Sequence, residues 1–67
     1  MRINDIVTVT GPYTTMLKDK DLNFTYSDVN GLTFKVIGID KPMATVVSEH
    51  GLITSITLSV LRKLKKG

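Results

Sequence analysis

The chain has 67 residues, of which 42% are hydrophobic and 22% charged, and its formal net charge is +3. This length allows one domain with a small core, burying only about 60% of the unfolded chain's surface. The composition excludes a disordered or collagen-like chain, and no apolar stretch approaches the ~20 residues of a membrane-spanning helix. With no cysteine and no apolar leader at the first residues, we expect a single cytoplasmic domain over residues 1–67.

The N-terminal part of the sequence predicts two strands separated by a long loop. Residues 6–10 form a β-branched run that stops at Gly11-Pro12, as a strand should, because proline cannot donate a ladder hydrogen bond. Residues 12–21 are rich in threonine, lysine and aspartate without periodicity, which predicts a polar loop. Residues 22–26 alternate apolar and polar side chains, which predicts a short, half-buried strand.

Three longer strands and short turns are predicted next, in an antiparallel meander. Asn30-Gly31 and Gly51 suit tight turns, and Gly38 predicts a bulge or bend within a strand. The predicted strands cover residues 32–39, 44–48 and 52–57. The predicted core residues are Ile6 or Val7, Val9, Phe34, Val36, Val46 and Ile56.

The segment after Thr57 allows two structures. Ser59 is a suitable N-cap for a short helix. Alternatively, residues 58–60 form one tight turn and residues 61–64 a closing strand. We favour the turn and strand, because a helix of about seven residues is weak alone and a closing strand protects a sheet edge.

This order of elements resembles a small SH3-like β-barrel of the KOW or Tudor type. Residues 4–11 look like the opening of such modules, and residues 12–30 stand where an SH3 domain has its RT loop. Residues 57–64 look like the closing unit, with a helical turn between the last two strands. The resemblance implies an all-β, antiparallel SH3-like barrel with a long RT-like loop and a short helical turn before the last strand. The chain has no tryptophan, so the proline-rich recognition of peptide-binding SH3 domains is not expected.

Metal and catalytic motifs are incomplete. The Asp19-x-Asp21-x-Asn23 segment has the oxygen spacing of a calcium loop, but Phe24 stands where glycine is needed and Asn30 where glutamate is needed. The single histidine, His50, lies at a predicted turn without partner groups. We therefore expect no metal, no cofactor, no small-molecule substrate and no enzymatic activity.

Three aromatic residues are the predicted partner-binding site. Phe24 and Tyr26 lie two residues apart and share one face of a strand. That face either packs on the core or, joined by Tyr13, forms an aromatic patch beside the loop that contacts a partner. The expected function is protein–protein interaction, with docking on a larger host protein, as in small accessory proteins of the phage type.

The basic charge is concentrated at the C-terminal end. Residues 1–61 carry five basic and six acidic side chains, a net charge of −1, and the other four basic residues fall in the last six positions. These residues are Arg62, Lys63, Lys65 and Lys66. Such an end either attracts phosphate backbones or is a solvated end that keeps a small protein soluble. The alternative function is therefore weak, non-specific nucleic-acid binding; membrane binding is not expected.

Overall fold

Seven antiparallel strands form a single sheet in the computed structural model, which describes residues 1–64. The strands are β1 (Ile6–Val9), β2 (Thr14–Lys18), β3 (Phe24–Asp28), β4 (Thr33–Asp40), β5 (Met43–Ser48), β6 (Ile53–Thr57) and β7 (Leu61–Lys63). Their order in the sheet is β3-β2-β6-β5-β4-β1-β7, so β3 and β7 are the two edges. Residues 1–64 contain no α-helix, and the all-β prediction is confirmed for them.

The strands of the body follow the sequence pattern closely. β1, β4, β5 and β6 lie within one residue of their predicted bounds, because one face of each is buried and the alternation is clear. The predicted bulge is present, since the β4–β5 register shifts between Val36 and Gly38. Gly51 adopts a φ of +83°, the left-handed conformation that its tight turn requires.

The C-terminal segment forms the favoured turn and strand. Leu58–Val60 is a single 3₁₀ turn that leads into β7. The alternative helix capped by Ser59 does not form. Thr57 precedes the turn without a side-chain capping hydrogen bond, and Leu61 is already extended.

The prediction of a polar loop over residues 12–21 is wrong. Thr14–Lys18 is a regular strand that pairs with β3 along its whole length. Leu17 is buried while Met16 is exposed, so the two adjacent apolar residues lie on opposite faces and conceal the alternation. The strand predicted for residues 22–26 is shifted to Phe24–Asp28, and it is mostly exposed rather than half-buried.

The core lies on the inner face of the sheet. All the predicted core positions are buried, with Val7 rather than Ile6 facing inward. Leu17, Val29 and Ala44 are additional buried residues, and the first two belong to the segment of the β2–β3 hairpin. The buried hydrophobic residues are Val7, Val9, Leu17, Val29, Phe34, Val36, Ala44, Val46 and Ile56.

A buried hydroxyl joins the β2–β3 hairpin to the rest of the sheet. The β2–β6 pairing has one ladder pair, Lys18 opposite Ile53. The hydroxyl of Thr54, which is 5% exposed, donates to the Met16 carbonyl oxygen at 2.9 Å. The Thr15 hydroxyl lies 3.0 Å from the same oxygen of Thr54. These side-chain hydrogen bonds therefore supplement a short backbone ladder.

We expect Thr54→Val to lower the free energy of unfolding by about 1–3 kcal/mol, because it leaves the Met16 carbonyl without its donor. Valine keeps the shape of threonine, so the change in packing is small. Thr33→Val is the matched control, since Thr33 is exposed on β4, and its unfolding free energy should stay within about 0.5 kcal/mol of the parent. Urea unfolding followed by tyrosine fluorescence measures both variants. Equal stability of Thr54→Val and the parent would contradict a structural role for this hydroxyl.

Candidate functional site

The β2–β3 hairpin presents large apolar side chains to solvent. The register places Met16 opposite Tyr26 and Lys18 opposite Phe24, and directly opposed residues share a face. Met16 is 41% exposed, Phe24 60% and Tyr26 72%. We call Met16, Phe24 and Tyr26 the aromatic surface. Of the two alternatives for Phe24 and Tyr26, the core-packing one is wrong.

The turn between β2 and β3 is built around the Asp19 carboxylate. Its Oδ1 accepts the backbone N–H of Asp21 at 2.8 Å and that of Asn23 at 2.9 Å. These hydrogen bonds, led by the one from Asn23, lower the pKa of Asp19 below its ordinary value of 3.8. The carboxylate that resembled a calcium ligand thus holds its own turn. Residues 1–64 contain no group of three or more metal-binding side chains.

Leu22 closes this turn in an unfavourable conformation. Its φ is +64°, in the left-handed region that glycine and asparagine tolerate far better than leucine. Its side chain is also 63% exposed, so burial does not offset the strain. Backbone strain that persists at a residue without packing is a recognised sign of a functional position. Leu22 lies two residues before Phe24, the first residue of the strand that also carries Tyr26.

Tyr13 lies on the other face of the hairpin. It is half-buried and packs against the core, and the Thr57 N–H donates to its hydroxyl oxygen at 3.4 Å. The structure therefore brings Phe24 and Tyr26 together and places Tyr13 apart from them. Any role of Tyr13 in partner binding stays a prediction.

The Asp28 carboxylate fixes the other end of the hairpin. It accepts the backbone N–H of Asn30 at 2.9 Å and that of Tyr13 at 3.1 Å. Both hydrogen bonds lower the pKa of Asp28, with that from Asn30 the larger cause. Asp28 therefore remains ionised at neutral pH, at the exposed end of β3.

Arg62 and Lys63, the two described residues of the basic end, do not share one face. Arg62 lies opposite Thr8 and Lys63 opposite Val7, so the two side chains point to opposite faces of β7. The Lys63 ammonium lies 3.7 Å from Oδ1 of Asp5. Lys65 and Lys66 lie outside the described residues, and their predicted role stays a prediction.

Two open surface grooves lie away from the hairpin. One, of about 310 Å³, is lined in part by Ile6, Lys35 and Val47. The other, of about 470 Å³, includes Glu49 and His50, whose Oε1 and Nε2 lie 3.7 Å apart. Both of these side chains are strongly exposed, and this leaves His50 in the turn position that its sequence context predicted.

Comparison with protein-family models, with curated proteins and with solved structures found no match to this chain. In the part of the chain that the structure describes, no helix is long and apolar enough to cross a membrane. The candidate site consequently rests on the geometry of the chain itself.

Met16 and Leu22 are the site residues that the sequence analysis missed. The polar composition of residues 12–21 predicts a loop at Met16, although the order Thr15-Met16-Leu17-Lys18 also allows a strand with Met16 and Lys18 on one face. Leu22 was assigned to a strand, although the aspartates before it favour a turn. The turn that Asp19 forms is the signal for both residues, because it places Met16 in the strand before it and Leu22 within it.

We expect the Asp19 carboxylate to stabilise the fold in a pH-dependent way. Because its folded-state pKa is lowered, the stabilisation is complete above the ordinary pKa of 3.8 and is lost as pH falls through the lowered value. Asp19→Asn keeps the acceptor oxygen and removes the charge. The difference in unfolding free energy between parent and variant should be constant from about pH 5 to 7 and shrink towards about pH 2. A difference that is the same at both ends of that range would contradict this role.

Proposed function

We propose that this protein is a non-catalytic binding module that acts through protein–protein interaction, with the aromatic surface docking on a larger partner protein. The observation that carries the proposal is the exposure of Met16, Phe24 and Tyr26 together on one face of a hairpin. Such aromatic side chains provide large contact areas at low entropic cost, and they dominate the energetics of many interfaces.

The energetic argument is one of cost. Burying a large apolar side chain contributes roughly 1.5–3 kcal/mol relative to leaving it exposed. In a domain this small, total stability is only about 5 kcal/mol or a little more. Leaving both Phe24 and Tyr26 in solvent therefore forgoes a substantial stabilisation, and a partner that covers them would recover it.

We also propose that the sheet has the SH3-like architecture that the sequence resembles. Three features support this proposal. The β2–β3 hairpin occupies the place of the RT loop, a 3₁₀ turn precedes the last strand, and β1 pairs with both β4 and β7. In that architecture the aromatic surface lies on the RT-like hairpin.

Nucleic-acid binding through the basic end has weaker support. Arg62 and Lys63 diverge across β7, and Asp5 offsets the charge of Lys63. Phosphate binding gains from several basic side chains acting on one face. Nucleic-acid binding is therefore the alternative function, and nuclease treatment distinguishes it from protein–protein interaction.

Affinity capture from a lysate of the source cells, with and without nuclease, tests the proposed function. We expect the parent to capture a protein in both conditions. Replacing both Phe24 and Tyr26 with serine should reduce the captured protein at least about tenfold, since such residues act as interface hot spots. Leu32→Ser is the control, because Leu32 is likewise an exposed large apolar residue but lies before β4, away from the aromatic surface. Capture that disappears with nuclease would favour the nucleic-acid alternative.

Replacing Leu22 should change stability and partner binding in opposite directions. Leu22→Gly should raise the free energy of unfolding by roughly 0.5–1 kcal/mol, because relief of the left-handed strain exceeds the entropic cost of glycine. The same variant should capture less partner, since an exposed apolar side chain two residues before Phe24 is removed. Leu32→Gly, at a leucine with ordinary φ, should not gain stability. Lower stability of Leu22→Gly in thermal and urea unfolding would show that Leu22 is not strained.

A further inference from the structure

The two edges of the sheet differ in how they are protected against pairing with another chain. β7 has three residues, and two of them, Arg62 and Lys63, are charged and exposed. Short length and positive charge are common devices that keep an edge strand unpaired. β3 has five residues without lysine, proline or a register shift, and it carries Phe24 and Tyr26. It therefore has the properties of an edge that accepts another strand.

The hydrogen-bond pattern identifies the backbone groups that β3 offers. Asp19 N–H donates to the Asn23 carbonyl, and Val29 N–H donates to the Tyr13 carbonyl. Hydrogen-bonded pairs alternate along an antiparallel ladder, so Thr25 and Ser27 bond to β2. The N–H and C=O groups of the other three β3 residues consequently point away from the sheet. These residues are Phe24, Tyr26 and Asp28.

We infer that β3 pairs antiparallel with β3 of a second copy of this chain, about a two-fold axis at Tyr26. In this register Tyr26 opposes Tyr26 of the second copy, and Phe24 opposes Asp28 of the second copy. All the outward backbone groups are then used, in about six hydrogen bonds. Registers centred on Thr25 or Ser27 leave some of these groups without a strand partner.

Charge and side-chain chemistry fit the same register. Lys18 is beside Phe24 on the common face, and Asp28 of the second copy comes next in that row. Two strand spacings separate this lysine and aspartate, about 10 Å between Cα atoms, so their side chains can meet across the Phe24 ring. At the two-fold axis, a second row of side chains crosses the contact on the same face. It runs from Met16 through Tyr26 of one copy to Tyr26 and Met16 of the second copy. No like charges oppose each other.

Edge pairing leaves the aromatic surface uncovered and doubles its width, because it uses the backbone of β3 rather than its outer face. The inference therefore goes beyond the proposed docking on a larger protein and does not depend on it. The pairing uses one five-residue strand from each copy, and contacts below about 1,200 Å² are typical of weak complexes, so a concentration-dependent dimer is expected.

Sedimentation equilibrium of the full chain from about 10 µM to 1 mM tests the dimer, together with amide exchange at both limits. We expect dimer at the higher concentration only. Protection of the Phe24, Tyr26 and Asp28 amides should rise with concentration, while the Thr25 and Ser27 amides stay protected throughout. A protein that remains monomeric at 1 mM, without this change in exchange, would overturn the inference. Association with unchanged exchange on β3 would place the contact elsewhere and overturn it as well.

Variants test the register. Tyr26→Lys places two positive charges at the axis and should weaken self-association at least tenfold, whereas Ser59→Lys adds the same charge at an exposed site off the edge and should not. Thr25 opposes Ser27 of the second copy at about 4.5 Å between Cα atoms, within disulfide range. Since the chain has no cysteine, a mixture of Thr25→Cys and Ser27→Cys proteins should form mixed disulfide dimers faster than either variant alone.

The two proposals fail separately. A parent protein that dimerises as described, but whose lysate capture is unchanged when Phe24 and Tyr26 are replaced with serine, would support only the edge pairing. A monomer that still captures its partner through Phe24 and Tyr26 would support only the proposed function. Equal cross-linking in the mixed and single-cysteine samples would overturn the register centred on Tyr26.

Discussion

The hydroxyl of Thr54 is the interaction on which the candidate site depends. It is the buried donor that connects β6 to the Met16 carbonyl, where the backbone ladder between β2 and β6 has one pair. The other contacts that hold the hairpin are Leu17 and Val29 in the core and the hydrogen bond from the Thr57 N–H to the Tyr13 hydroxyl. A hairpin alone is marginally stable in water, so the presentation of its exposed face depends on these contacts with the rest of the sheet.

The body of the sheet and the hairpin serve different physical requirements. In the body, one face of each long strand is buried, and Phe34, Val36 and Val46 meet there with almost no exposure. The hairpin contributes Leu17 to that core through one face and leaves the other unburied. Its two ends are fixed by carboxylates, at Asp19 and Asp28, that accept backbone N–H groups. Hydrogen bonds thus define the hairpin where hydrophobic burial does not.

This division explains how far sequence reasoning could reach. Alternation predicts the strands of the body because a one-residue shift would expose every core side chain. The same rule fails in the hairpin, where Met16 and Leu17 are both apolar but lie on opposite faces. Spacing did place Phe24 and Tyr26 on one face. Whether that face points to the core or to solvent depends on pairing with β2. Because the sequence predicts a loop over residues 12–21, it gives no strand for β3 to pair with.

Three features of the hairpin reduce the stability of the fold or leave it unprotected, and they lie close together in the sequence. Leu22 combines a left-handed φ with exposure, Phe24 and Tyr26 lie in solvent, and β3 is an edge without the lysine and arginine that β7 carries. Scattered over a surface, each would be an ordinary imperfection of a small domain. Local rules fail together where a protein meets a requirement other than folding. All three occur within seven residues of one hairpin, and this clustering is the reason that we propose contact with another polypeptide through the outer face, the edge or both.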